Sequence, residues 1–390
     1  MTGKGSHRPP PIEWVSPEQA ESYEQVRRFA ETLPRDVIDR DRAEAFSREA
    51  WDRCGEFGIQ GLPAPEEYGG GGADVVTTML ALEALGYGCV DGGLVFSINA
   101  HMWTSVVPVW TYGTEEQKRR WLPGLCSGGL IGCHTITEPE AGSDAFAMRS
   151  TAKKVDGGYV VNGRKTFITN APVADLLIVF ARDGEGIGPF GISAFLVEAG
   201  SPGLSLGKPM DKMGLRTSPM SEVFLDDCFV PDAALLGRPG NGGQIFQTSM
   251  RWERACIMAG HVGSMRRTME RCVAYARERR QFGKPIGKYE SVADKIANMK
   301  VAVDASRALV LRVGWLMDHG FDSTAEAAVA KVFVSEASVR THLDAVQIHG
   351  GYGYMTEFEV ERMLRDAVGG TIYSGTSEIQ RRIIARGLGL

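Results

Sequence analysis

The sequence predicts an α+β protein in three parts: an N-terminal helical domain over residues 1–130, a middle antiparallel β domain over 131–238, and a C-terminal four-helix bundle over 239–390. Helical periodicity dominates both ends of the chain. Between them, short segments rich in Val, Ile, Phe and Thr alternate with Gly and Asp turns. Strands and helices do not alternate, so a Rossmann nucleotide site is not expected.

The N-terminal part contains five predicted helices, over residues 17–35, 41–57, 75–86, 93–112 and 114–125. Ser16 is a typical N-cap with Pro17 in the first helical position, and Thr114 forms a capping box with Gln117. Residues 1–15 are Pro-rich and predict little folded structure.

The middle part contains predicted strands over 150–155, 159–167, 176–181, 192–197 and 222–230. The sequences at 156–158 (DGG) and 162–163 (NG) are turn signals typical of β-hairpins. A compact antiparallel domain follows from this pattern.

The C-terminal part is organised around a long helix, predicted to begin at Gln244 and to end at Gly283 and Pro285. Further helices are predicted over 289–320, 324–348 and 357–367. Within the long helix, residues 255–260 (ACIMAG) have no polar face, which indicates burial on every side. Glu253 comes directly before this segment, where an ionised carboxylate is costly to bury.

Composition excludes several functional classes. The formal charge is −5, and we find no basic patch for nucleic acid. No apolar run reaches 18 residues and the N-terminus has no apolar signal core, so a soluble, cytoplasmic protein without a membrane span is expected. The seven cysteines and seven histidines lack metal-ligand spacing, so no metal site is expected. The cysteines are expected to be buried free thiols.

Five motifs, in order and spacing, resemble those of the acyl-CoA dehydrogenase family: 137–144 (TEPEAGSD), 167–170 (FITN), 279–284 (RRQFGK), 347–351 (QIHGG) and 375–380 (GTSEIQ). The resemblance extends over about residues 17–388. It implies FAD as cofactor, a homotetramer built from the C-terminal bundle, and α,β-desaturation of an acyl thioester. An electron-transferring flavoprotein or oxygen would reoxidise the flavin.

The resemblance also implies roles for individual residues. The flavin would be bound by Ile136, Thr137, Ser143, Phe167 and Thr169, with Phe167 where many relatives carry Trp. The pyrophosphate and adenine of a neighbouring subunit's FAD would be bound by Arg279, Gln281, Phe282, Gln347, Gly350 and Gly351. Thr376 and Glu378 would complete the cofactor site, while Arg254, Ser374 and Gly375 would contact the substrate.

One position departs from the family pattern. Many members carry the catalytic glutamate directly before the Gly-Thr of the last motif, where this chain has Ser374. A serine without an adjacent base cannot remove a carbon-bound proton near neutral pH. A branch of the family that includes isovaleryl-CoA dehydrogenases carries the base on the long helix before an Arg, and Glu253 with Arg254 matches that position. The alternative is that Glu253 only interacts with the helix dipole.

The substrate stays open between several alternatives. A short or branched acyl-CoA is the first hypothesis, with Glu253 as base and flavin N5 as hydride acceptor. The second is an acyl or aminoacyl group, such as prolyl, bound to a carrier protein, a branch that residues 97–103 (SINAHMW) weakly resemble. A flavin monooxygenase and a non-catalytic protein of the same fold are less favoured, because the FAD motifs and a candidate base occur together.

Overall fold

The computed structural model describes residues 15–184, 186 and 188–390, so the Pro-rich segment 1–14 lies outside the described residues. The N-terminal part is helical, as predicted. Its helices are α1 (Pro17–Ala30), α2 (Val37–Ala43), α3 (Arg48–Glu56), α4 (Val75–Gly88), α5 (Gly92–His101), α6 (Val107–Tyr112) and α7 (Glu115–Cys126).

Both predicted capping boxes are present, at Ser16 and Thr114. The predicted helix over 41–57 is instead two helices, because Glu44 adopts a left-handed conformation (φ 54°) that ends α2. The predicted helix over 93–112 is continuous in space, since the π-helical turn Met102–Val106 joins α5 to α6.

The middle part is one sheet formed by β1 (Gly132–Thr135), β2 (Thr151–Val155), β3 (Gly158–Thr169), β4 (Leu176–Arg182), β5 (Ile192–Glu198), β6 (Leu204–Leu206), β7 (Met220–Pro231) and β8 (Leu235–Leu236). The order is β6-β7-β3-β2-β4-β5-β8, and β1 pairs with β4. The β1–β4 pair is parallel, so the sheet is mixed rather than purely antiparallel. The long connection between the two strands permits this, because parallel neighbours need a crossover of a dozen or more residues.

The C-terminal part contains α8 (Gly242–Glu278), β9 (Arg280–Gln281), β10 (Lys284–Pro285), α9 (Glu290–Asp318), α10 (Thr324–His349), α11 (Gly351–Tyr354), α12 (Val360–Gly369) and α13 (Ser377–Gly387). The long helix α8 has 37 residues and is about 55 Å long. It ends earlier than predicted, because Arg279 is extended (ψ 122°) and the chain turns at Phe282 into a β-hairpin. The helix α13 was not predicted.

Helix α8 packs through its apolar segment 255–260 against α4, and this segment is buried throughout, as predicted. The two helix backbones approach closely, since a Cβ added at Gly86 would lie 2.2 Å from the Gly260 carbonyl oxygen. One hydrophobic core therefore includes the N-terminal helices together with α8, α9 and α10. The domain boundaries at 130/131 and 238/239 stay predictions.

All seven cysteines are buried free thiols. In the part of the chain that the structure describes, no helix combines the length and apolarity that a membrane span requires.

Candidate active site

Helix α8 carries Glu253 into the interior, two positions before the apolar segment 255–260. The side chain is 6 % exposed, although it is a carboxylate. Ser374 donates a hydrogen bond from Oγ to Glu253 Oε1 at 2.8 Å. The structure thus brings together the candidate base and the residue at the usual family position of the base, which are 121 residues apart in sequence.

Burial raises the pKa of Glu253 to about 7, because removing a carboxylate from water disfavours its charged form. The Ser374 hydrogen bond and the positive charges of Arg254 and Lys331 oppose this rise. Glu253 is therefore a carboxyl group that exchanges a proton near neutral pH, as a general base requires.

The turn at Ser374 and Gly375 is fixed by three side chains that donate to its carbonyl oxygens. Lys331 Nζ lies 2.7 Å from Gly375 O, and Arg254 Nε lies 3.3 Å from Ser374 O. Gln380 Nε2 donates to both carbonyl oxygens, at 3.0 and 2.9 Å. Both turn residues have positive φ, 56° and 88°. In the described part of the chain, their backbone N–H groups donate no hydrogen bond, so two donors remain available beside Glu253.

Sequence reasoning missed Lys331 and Gln380. Lys331 is fully buried in α10, and burial lowers the pKa of its ammonium to about 8. The sequence does indicate that Lys331 is unusual, because it is the one charged residue within the apolar run 327–334 (AAVAKVFV). Gln380 is the last residue of the recognised motif 375–380.

A cavity of about 60 Å³ lies along α8 beyond Glu253. It begins at Ile257, one turn after the carboxylate, and Tyr373 beside Ser374 forms part of its wall. Its lining also includes Phe96, Asn99, His261, Ser264, Arg267, Ser338, His342 and Asp366. The volume exceeds that of a single water several-fold. The cavity can hold a small group next to Glu253, but not a long chain.

The predicted flavin residues lie where β1 and β3 end. Thr166 N–H donates to Thr137 O at 3.0 Å, which places the segment after β1 beside the end of β3. Phe167 is 62 % exposed with φ 57°, and Thr169 is half-buried. The segment 137–144 lies between β1, which was not among the predicted strands, and β2. Ser143 is exposed, whereas Ile136 packs into the core.

The predicted pyrophosphate and adenine residues lie at the far end of α8. Arg279, Gln281, Gly350 and Gly351 line a cavity of about 580 Å³, a volume typical of ligand pockets. The Arg279 guanidinium lies 5.6 Å from the Tyr352 ring centroid. Two further predicted residues, Phe282 and Gln347, are exposed nearby and do not line this cavity.

The remaining predicted cofactor residues begin α13. Thr376 is its N-cap, with Oγ1 accepting from Ile379 N–H at 3.4 Å, and Glu378 is exposed in the first turn. The helix start therefore follows directly after the turn that contacts Glu253. Thr376 and Glu378 therefore lie near Glu253 and not near the cavity at Arg279.

The two groups of predicted cofactor residues are distant in one chain. Along α8, Arg279 follows Glu253 by 26 positions, which corresponds to about 39 Å. Each group nevertheless offers features that fit FAD. Exposed aromatic rings at Phe167 and Phe282 (95 % exposed) are typical of surfaces that a ligand or partner covers. At Gly351, a Cβ would meet no atom within 4 Å, so the backbone is open to a ligand.

Three family models match nearly the whole chain: the acyl-CoA dehydrogenase N-terminal domain at residues 16–129, the middle domain at 133–228 and the C-terminal domain at 240–389. The chain belongs to the acyl-CoA dehydrogenase family. The family and three-part fold predicted from sequence are therefore confirmed, as is a flavin-dependent dehydrogenase acting on CH–CH groups.

Among curated acyl-CoA dehydrogenase relatives, an L-prolyl-[peptidyl-carrier protein] dehydrogenase of Pseudomonas fluorescens is 45 % identical over 90 % of this chain and 92 % of its own. A protein of the same name from Serratia sp. is 40 % identical, covering 96 % and 98 %. The mitochondrial isovaleryl-CoA dehydrogenase of Oryza sativa subsp. japonica is 37 % identical, covering 95 % and 91 %.

Solved structures agree with this assignment. The prolyl acyl carrier protein oxidase AnaB superposes with a TM-score of 0.94 at 45 % identity, covering 96 % of this chain and 100 % of its own. PigA with FAD and proline has a TM-score of 0.94 at 40 % identity, covering 96 % and 98 %. FAD as the cofactor of this family member is thereby confirmed.

Proposed function

We propose that the protein removes hydrogen from the α and β carbons of an acyl thioester, with Glu253 as the base. The observation that carries this proposal is a buried carboxyl group with a pKa of about 7, one helical turn before Ile257 in the wall of a small cavity. No other carboxylate faces it in the described residues, since the charged groups acting on Glu253 are the cations Arg254 and Lys331.

Each residue around Glu253 has a part in this reaction. Glu253 takes the α-proton, and Arg254 with Lys331 stabilises the ionised form that does so. The free N–H groups of Ser374 and Gly375 polarise the thioester carbonyl, which makes the α-proton more acidic. When bound, FAD supplies the hydride acceptor for the β-hydrogen. The rings of Phe96 and Tyr373, with centroids 4.6 Å apart, form an aromatic wall of the cavity beside the base.

For the substrate, we propose an aminoacyl group carried on a phosphopantetheinyl protein, of the prolyl class. Two relatives at 45 % and 40 % identity bear the name of a prolyl carrier-protein dehydrogenase, whereas the isovaleryl-CoA relative is 37 % identical. The small cavity also suits a compact acyl group, and its mostly apolar lining includes the polar side chains of His261, Ser264 and Ser338. This proposal reverses the order of the two hypotheses that the sequence leaves open, where a short acyl-CoA stood first.

The test is anaerobic mixing of the FAD-loaded protein with free acyl-CoAs and with acyl groups on a carrier protein. Bleaching of the flavin by prolyl-carrier conjugates, but not by micromolar isovaleryl-CoA or butyryl-CoA, supports the proposal. Bleaching by free short-chain acyl-CoAs alone returns the substrate to the CoA class. A requirement for reduced flavin and oxygen would instead indicate a monooxygenase and remove Glu253 as the base.

We also propose that FAD is bound between two copies of the chain, within a homotetramer in the cytoplasm. The distance of about 39 Å along α8 between Glu253, beside which Thr376 and Glu378 lie, and Arg279 supports sharing between subunits. Reoxidation is proposed to use an electron-transferring flavoprotein, with oxygen as the alternative. Anaerobic turnover with and without such a flavoprotein distinguishes the two acceptors.

A further inference from the structure

A hydrogen-bonded series of side chains forms one wall of the cavity beside Glu253. Tyr373 Oη lies 2.5 Å from His261 Nε2, and His261 Nδ1 lies 3.1 Å from Ser338 Oγ. All three residues line the cavity. The side chain of His261 is half-buried, and its exposed part faces this cavity. The surrounding protein removes most of the water from the imidazole ring, which lowers the pKa of His261 to about 3. His261 is therefore neutral and carries one ring N–H.

The neighbouring His342 limits what Ser338 can do. His342 Nδ1 lies 2.7 Å from the Ser338 carbonyl oxygen, and since a carbonyl only accepts, this nitrogen carries the hydrogen. The same nitrogen lies 3.4 Å from Ser338 Oγ and cannot accept from it. Ser264 Oγ lies 3.3 Å from His342 Nε2 and donates to it, which satisfies His342. The only acceptor that remains for the Ser338 hydroxyl, within the described residues, is His261 Nδ1.

These three side chains carry one more donor hydrogen than they have hydrogen bonds between them. Tyr373 O–H, His261 N–H and Ser338 O–H are three donors, but they share only two hydrogen bonds, Tyr373–His261 and His261–Ser338. If Ser338 donates to His261, then His261 donates to Tyr373, and the Tyr373 hydroxyl hydrogen has no acceptor. If Tyr373 donates instead, the Ser338 hydrogen has none. The wall thus presents one unpaired O–H in either tautomer.

An unpaired buried donor is costly, and in the free protein a water in the cavity can accept from it. An acyl group that enters displaces this water and must replace its hydrogen bond. The acyl group reaches Tyr373 first, because Tyr373 adjoins Ser374, which contacts Glu253. An aliphatic group leaves the hydroxyl unpaired, whereas a group with a neutral nitrogen or an oxygen pairs with it.

We infer that Tyr373, held by His261 and Ser338, selects acyl groups that carry an uncharged hydrogen-bond acceptor, such as the unprotonated ring amine of a prolyl thioester, over aliphatic acyl groups of the same shape. This inference rests on the proposed thioester dehydrogenation and deepens it. Tyr373 is thereby a specificity-determining residue, and His261 and Ser338 position its hydroxyl.

The experiment compares two acyl groups loaded on one phosphopantetheinyl carrier protein: prolyl, and cyclopentanecarbonyl, in which a methylene replaces the ring amine. The wild-type FAD-loaded protein should prefer prolyl in kcat/KM by about tenfold to hundredfold, the usual effect of leaving one buried donor unpaired. Tyr373→Phe keeps the ring and removes the hydroxyl, so this preference should fall to within about threefold. The loss should come from the prolyl substrate, with cyclopentanecarbonyl unchanged or improved.

Binding without turnover gives a second readout. In the Glu253→Gln background, the Kd of the prolyl carrier should rise by about tenfold on adding Tyr373→Phe, and the Kd of the carbocyclic carrier should not. Tyr373→Leu, which also removes the hydroxyl, should reduce the preference in the same way if Tyr373→Phe fails to fold. Tyr87→Phe is the matched control, because its hydroxyl donates to Glu270 at 2.6 Å outside the cavity.

Equal kcat/KM for both acyl groups in the wild-type protein would overturn the inference. So would an unchanged ratio in both Tyr373→Phe and Tyr373→Leu, even if both substrates slowed equally. These results are distinct from a failure of the proposed function, in which neither carrier-bound acyl group is oxidised at all, or Glu253→Gln oxidises both at the wild-type rate.

Discussion

Replacing Glu253 with Gln tests the base directly, because Gln keeps the size of the side chain and an oxygen that accepts from Ser374 Oγ. Removing a general base typically lowers the rate by about 10²- to 10⁴-fold. The upper part of this range is expected here, because the site is buried and the other charged groups acting on it are cations. Folding and FAD content should persist.

The pH dependence follows from the same carboxyl group. The base must be ionised, so kcat/KM of the wild-type protein should rise with pH through about 7. The folded pKa is raised above the ordinary 4.5, so the folded state prefers the protonated form and loses stability as the pH rises from 4.5 to about 7. Above pH 7 this loss is about 3 kcal/mol, at 1.36 kcal/mol per unit of pKa. Glu253→Gln should therefore raise the Tm at pH 8 but not at pH 4.

The assay is single-turnover reduction of the flavin by substrate across pH 5–9, together with thermal unfolding at both pH extremes. Glu56→Gln is the control, since Glu56 is an exposed carboxylate in α3 far from the site. Flavin reduction by Glu253→Gln at near the wild-type rate would refute the assignment of Glu253 as base. A Tm at pH 8 that does not rise would refute the burial argument for its pKa.

Three further predictions address the surroundings of the base. Ser374→Ala should lower kcat/KM by at most about tenfold, because it removes one hydrogen bond to Glu253 and no base; a loss as large as that of Glu253→Gln would contradict this. Lys331→Met removes a cation that favours ionised Glu253, so the rise in kcat/KM should move to higher pH, and an unmoved profile would show that Lys331 exerts no such influence. Arg279→Ala should lower FAD occupancy and make it depend on protein concentration, as measured by flavin absorbance during sedimentation; a monomer that retains full FAD would contradict sharing between subunits.

The order of the three parts was predictable because hydrophobic periodicity is a local property of the sequence. Helices such as α4 and α10, and the capping boxes at Ser16 and Thr114, follow from residues within a few positions of one another. The strands β1, β6 and β8 were missed because they are only two to four residues long. Their pairing comes from partners elsewhere in the chain.

The sequence by itself determined the family, the cofactor and Glu253 as the candidate base. The family motifs, and the serine at position 374 where many members carry the catalytic glutamate, are both visible in the linear sequence. Only the tertiary structure decided what surrounds that carboxylate. Lys331 from α10 and Gln380 from α13 donate hydrogen bonds to the Ser374–Gly375 turn. His261 from α8 forms a hydrogen bond with Tyr373. Such contacts join residues 5 to 121 positions apart, and the pKa of Glu253 depends on the water they exclude. Burial and hydrogen-bond partners are properties of packing in three dimensions, which no local pattern encodes.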